Sequence, residues 1–192
     1  PLGYAVGNSL EVIEAINFLK GNMPEDLKKV VLELGSYMIK MAGKGNDIQE
    51  NKNKMLENIN NGLAYKKLVE MVQNQGGDIS YLKDTNKFNK AKFIQEIKSE
   101  KDGYIQEINA EKIGELSCFL GAGRINKEDG ILQDVGIVLN KKTGDKVNNG
   151  DILAKIYADN LEKMQEAKRK LFEIYIIDKN IPVKDEAILK IV

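Results

Sequence analysis

Apolar positions in the first eighty residues recur at helical spacing. Leu10, Ile13, Ile16 and Leu19 share one side of a helix that Asn8 or Ser9 can cap and Gly21 stops. Pro24 sits where a first helical turn tolerates proline, and Leu27, Val30, Val31, Leu34, Met38 and Met41 form one stripe ending at Gly43. Such a stripe predicts a core-facing helix, with Met38 and Met41 as core filling. Asp47 opens a more polar helix through Met55, Leu56 and Ile59. Gly62 separates it from a fourth, carrying Leu63, Leu68, Val69 and Val72 up to Gln75-Gly76-Gly77-Asp78. Four helices follow with no strand predicted between them.

After Asp84-Thr85-Asn86-Lys87 the period changes to alternation. Strands are predicted at 93–97 and 104–108, flanking Asp102-Gly103, a pair that suits a tight turn or a strand start. Residues 109–120 return to helical spacing, closed by Gly121 and Gly123. Strands at 136–139 and 152–156 flank a turn at Lys142-Thr143-Gly144-Asp145. A charged helix from about Asn160 to Phe172 precedes strand-like runs at 174–177 and 188–192. The second half therefore reads as α+β, with a boundary near residue 84.

Charge adds only exclusions. Lys plus Arg and Asp plus Glu number 29 each, so no global field attracts nucleic acid or an anionic membrane surface. No apolar run approaches a membrane span, and Pro1-Leu2-Gly3-Tyr4 is not a signal peptide, so a cytoplasmic protein is expected. Cys118 is the only cysteine and there is no histidine, which removes an internal disulfide, multi-cysteine metal sites and every His-based dyad. Cys118 itself reads as a small buried residue. The opening segment, Leu2 to Asn8, reads as a loop that should follow a strand, so the chain is expected to begin inside a larger domain.

That segment, Pro1-Leu2-Gly3-Tyr4-Ala5-Val6-Gly7-Asn8-Ser9-Leu10-Glu11, resembles the stretch after the central linker of pyrimidine-nucleoside phosphorylases. The likeness continues, in family order, through Gly21-x-x-Pro24-x-Asp26-Leu27, Leu34-Gly35-Ser36, Gln75-Gly76-Gly77-Asp78, Asp102-Gly103-Tyr104 and Leu120-Gly121-Ala122-Gly123-Arg124 with Lys127-Glu128-Asp129. It ends with Val135-Gly136-Ile137 and Gly144-Asp145-Lys146-Val147-x-x-Gly150. The resemblance implies the C-terminal part of a homodimeric pentosyltransferase of nucleoside salvage, which cleaves thymidine or uridine with inorganic phosphate. It also implies residues 1–84 as the helical remainder of a mixed α/β domain, and 85–192 as a C-terminal α+β domain of α/β-hammerhead, barrel-sandwich character.

Family members resembling this chain bind a monovalent cation, usually potassium, through main-chain carbonyls matching Leu2 and Ala5 and the carboxylate matching Glu14. The expectation places Leu2 and Ala5 in an irregular loop with free carbonyls; the other reading of Glu14 is a solvated helix carboxylate. The family's phosphate loop, histidine and Arg, Ser and Lys cluster have no counterpart here, so no catalytic or substrate-binding residue is assigned. The expectation is a scaffold, inactive alone, with a noncatalytic interaction module as the alternative.

Two further motifs invite chemistry. Residues 144–156 also resemble biotinyl and lipoyl carrier domains, but Asn160 stands where a lipoyl lysine would be expected, so shared strand-and-turn geometry is the preferred reading. Gly121-Ala122-Gly123-Arg124 follows a helix instead of introducing one, which makes it a helix stop before a phosphate loop.

Overall fold

The computed structural model describes residues 1–124, 126–183 and 186–191, and the chain divides into two compact units. One is helical: Ile13–Lys87, with Leu2 and the described residues 186–191. The other holds the sheets: Gly3–Val12 and the chain from Phe88 through residue 183. The break falls after Lys87. Residues 3–12, however, group with the sheets, and the reason is a short strand.

In the helical unit, α1 (Asn8–Leu19) enters from the other unit, followed by α2 (Glu25–Met41), α3 (Ile48–Asn60), α4 (Leu63–Asn74) and the single turn α5 (Ser80–Lys83). Asp47 caps α3, its carboxylate accepting from Glu50 N at 2.8 Å. α2 and α3 meet at a small-residue seam. Met55 presses against Gly35, where any Cβ would collide with its thioether, and Ser36 and Asn51 are fully buried. Leu82 O closes the far end, accepting from Tyr65 Oη at 2.7 Å and Lys20 Nζ at 3.2 Å.

The α2 expectation is corrected. Leu32 and Ser36 are its buried positions, whereas Leu34, Met38 and Met41 are 62 %, 69 % and 86 % exposed. Met38 and Met41 are therefore not core filling. The helix turns its smaller residues inward because the Gly35 and Ser36 side lets α3 approach closely.

The sheet unit contains two antiparallel sheets. The first has the order β1 (Ala5–Val6), β4 (Gly136–Leu139), β6 (Ile152–Ala158), β2 (Phe93–Lys98); the second, β5 (Lys146–Val147), β3 (Gly103–Ile108), β7 (Tyr175–Asp178). Strands β2 and β3 thus belong to different sheets, and Asp102-Gly103 is a strand start, not a hairpin turn. Helices α6 (Ala110–Ser117) and α7 (Leu161–Ile174) are each capped by an asparagine: Asn109 accepts from Lys112 N and Asn160 from Lys163 N, both at 2.9 Å. Asn160 is thus accounted for as a helix cap.

The core joins Ile105, Ile137 and Ile156 from the strands to Ile113, Leu116, Met164 and Leu171 from the helices, all at most 3 % exposed. Each fully buried large aliphatic contributes roughly 1.5–3 kcal/mol. α6 continues into a π-helical turn, Cys118–Ala122, which ends as Gly121 adopts φ 114°. That is a helix stop. Cys118 is half-buried. The strand expected at 188–192 is not formed: residues 188–191 have no ladder partner and no regular element, and Val192 lies outside the described residues.

Candidate functional site

The site residues named by sequence cluster at the amino end, where the sheet unit shows how that segment is held. Gly3 takes φ 70°, a left-handed turn that sends the chain into β1, and β1 pairs antiparallel with β4 through Ala5↔Val138 and Val6↔Ile137. Leu139 N donates to Tyr4 O at 2.8 Å, and Ser9 N to Gln133 O at 2.9 Å. Ala5 is accordingly a buried strand residue, and its expected placement in an irregular loop is corrected.

Past β1 the backbone makes its closest approach. Gly7 (φ 151°) and Gly136 (φ 146°) lie against each other: a Cβ on Gly7 would sit 2.5 Å from Val135 O, and one on Gly136 would overlap Val6 O. Only two glycines permit that crossing. Side chains then fix it. Ser117 Oγ donates to Val6 O at 2.9 Å, while Asn8 Nδ2 reaches Ala122 O at 2.9 Å and Leu132 O at 3.2 Å. Gly7 N donates to Glu11 Oε1 at 2.9 Å, closing the first turn of α1. Tyr4 carries Lys142 Nζ 5.1 Å from its ring centre.

Leu2 is 46 % exposed and groups with the helical unit, as does half-buried Glu14 on α1, whereas Ala5 belongs to the sheet unit. Among the described residues, no three His, Cys, Asp or Glu side chains converge as a metal site, and no helix is long and apolar enough to cross a membrane. Arg169 is held between Glu166 (2.8 Å) and Glu173 (2.7 Å); the hydrogen bonds it donates to Glu166 and the charges of both carboxylates push its pKa upward. Arg124 is exposed.

The stitching by Asn8 and Ser117 was not legible in the sequence. Asn8 reads as a cap, and nothing in its neighbourhood announces acceptors more than a hundred residues away. The Gly7 and Gly136 pair was visible only as two separate glycines.

Residues 104–178 match the family described as pyrimidine nucleoside phosphorylase C-terminal domain. The chain matches the C-terminal part of a pyrimidine-nucleoside phosphorylase. It is 43 % identical over 173 residues to the pyrimidine-nucleoside phosphorylase of Geobacillus stearothermophilus, covering 90 % of this chain and 40 % of that protein. It is 44 % identical over 173 residues to the one of Bacillus subtilis (strain 168), with the same shares. To the one of Staphylococcus aureus (strain USA300) it is 41 % identical over 188 residues, 98 % of this chain and 42 % of that protein. The chain thus spans about two fifths of the length of these phosphorylases. The match to the Staphylococcus aureus phosphorylase takes in 188 residues and so most of both units, and the α+β class of the sheet unit agrees with the matched domain.

Proposed function

We propose that this chain is the scaffold portion of a pyrimidine-nucleoside phosphorylase that cleaves thymidine or uridine with inorganic phosphate, giving free base and a pentose 1-phosphate. The observation that carries this reading is identity above 40 % over 90 % or more of the chain, to proteins bearing that name.

Phosphorolysis needs an amide cradle and cations to hold a phosphate dianion, and donors that stabilise the departing pyrimidine anion. This chain has no histidine, and its Arg169 is committed to two glutamates. Its part in the reaction is positioning. Seated by Gly7, Asn8 and Ser117, the amino-terminal segment leads into α1, and that geometry sets where neighbouring groups of a complete enzyme stand.

The same reading makes the carbonyls of Leu2 and Ala5 and the carboxylate of Glu14 ligands of a potassium ion. Two carbonyls and one carboxylate are hard oxygen donors of the kind an alkali cation prefers. Such an ion supplies fixed positive charge and rigidity, not covalent chemistry. A homodimeric, cytoplasmic enzyme of nucleoside salvage, with an α/β-hammerhead C-terminal domain over 85–192 and the remainder of a central α/β domain over 1–84, completes the proposal.

The test is a chimera joining the unmatched portion of the Bacillus subtilis phosphorylase to this chain. It should release uracil or thymine from the nucleoside only with phosphate present, and this chain alone should release none. Turnover by the chain alone would overturn the scaffold reading; a folded, inert chimera would overturn the enzymatic one.

A further inference from the structure

Strand β2 closes one side of the first sheet, and among the described residues only β6 pairs with it. Its outer edge presents main-chain N–H and C=O groups, a ready template for another strand. The side chains decide which strand fits. Gln95 and Ile97 stand opposite Ile156 and Ala154, both fully buried, so residues 93, 95 and 97 form the core face. Ile94 and Glu96 line the other face, where Ile94 is 52 % exposed opposite Tyr157 and Glu96 bonds to Lys155 at 3.1 Å. Lys92, one residue before the strand, continues the alternation, with Nζ 3.0 Å from Asp159.

The triplet Lys92, Ile94, Glu96 is complementary to itself. Laid antiparallel about Ile94, it sets Ile94 against Ile94 of the second copy and Lys92 against Glu96, twice over. Charge then alternates across the joined sheet, from Lys155 to Glu96 and on to Lys92 and Asp159 of the second copy. We propose that β2 is a self-association edge, on which a second copy of this chain pairs antiparallel about Ile94 and joins two four-stranded sheets into one. Neighbouring registers fail. A one-residue slip turns the core face of one copy to the solvent side of the other. Pairing about Gln95 sets Lys92 against Lys98 and Ile94 against Glu96, and pairing about Phe93 sets Lys92 against Ile94. The register shift between Ile97 and Lys98 ends the regular ladder there. Edge lysines ordinarily keep strands apart, but Glu96 of the second copy removes that protection at Lys92. The surface lies wholly in the sheet unit and stands independently of the phosphorylase reading.

Sedimentation equilibrium of this chain reads the pairing. A strand contact of six residues falls at the small end of protein interfaces, so a monomer-dimer equilibrium should appear between roughly 10 µM and 1 mM. Ile94→Lys, Lys92→Glu and Glu96→Lys each bring like charges together and should weaken the dimer about tenfold or more. An equimolar mixture of the Lys92→Glu and Glu96→Lys chains should recover it, since opposite charges then meet at both ends. A chain that stays monomeric throughout that range overturns the proposal. So does association that the three substitutions leave unchanged, which would place the contact on another surface, and so does a mixture that fails to recover the dimer. All three positions are exposed, so the variants should melt within about 3 °C of the parent. Should one unfold, hydrogen exchange on the unsubstituted chain decides: β2 amides not bonded to β6 should gain protection as concentration rises, and no gain refutes the pairing.

Discussion

Asn51, on α3, is fully buried and spans the corner between α2 and α3: its Nδ2 donates to Ser36 O at 3.1 Å and to Gly45 O at 3.0 Å, while its Oδ1 has no hydrogen-bond partner. Gly45 is where that oxygen rests, since a Cβ there would overlap it. Replacing Asn51 by Ala leaves two carbonyls short of a donor and should lower unfolding free energy by about 1–3 kcal/mol in urea denaturation. Gly45→Ala should also destabilise, but less in the Asn51→Ala background, because the obstructing oxygen is gone. A double-mutant cycle showing simple additivity would refute the contact.

The seam at Gly7 and Gly136 makes a sharper prediction. Either glycine changed to alanine drives a methyl into a main-chain carbonyl at a φ that L-residues avoid, with a cost of roughly 1–3 kcal/mol or more. Loss of exchange protection at the amides of Ser9 and Leu139, which bond across this seam, is the local reading that separates it from general destabilisation.

Tyr175 predicts a pH dependence. Its hydroxyl lies 3.0 Å from Leu153 O and 3.3 Å from Lys141 O; burial first, and then the charge of Asp145, push its pKa far above the ordinary phenol value. The unfolded chain releases that proton near pH 10 while the folded one keeps it, so the unfolded state binds fewer protons above pH 10 and stability falls as pH rises. Denaturation midpoints should be insensitive to Tyr175 below pH 9 and decline beyond pH 10. Tyr175→Phe should flatten the alkaline limb. An unchanged limb in that variant would place the effect elsewhere.

The two sides of α2 give a contrast within one helix. Leu32→Ala should cost about 2–4 kcal/mol, as deletion of a buried leucine does, whereas Leu34→Ala should change stability by under about 0.5 kcal/mol. A periodicity argument alone would reverse that order, so thermal melts of the pair discriminate directly.

That reversal shows where the sequence could be read and where it could not. Helical spacing located α1 to α4, alternation located β2, β3, β4 and β6, and Gly121 and Gly144 marked real punctuation, because these signals are local. Periodicity says that a helix has an apolar side but not what covers it, so Met38 and Met41 were misplaced. Strand pairing is equally non-local. Residues 188–191 read as strand-like yet find no partner, while the two-residue β1, too short for any pattern, finds one in β4. The candidate site follows the same division: Asn8 was visible as a helix start, but its acceptors at Ala122 and Leu132 depend on the folded chain.

The pairing of Val6 with Ile137 also has a temporal side. A ribosome adding about 5–20 residues per second needs on the order of ten seconds to make the intervening polypeptide. Throughout that interval the amino-terminal strand is synthesised but has nothing to join. The helix-forming stretch that follows it emerges while that strand still lacks its partner in β4.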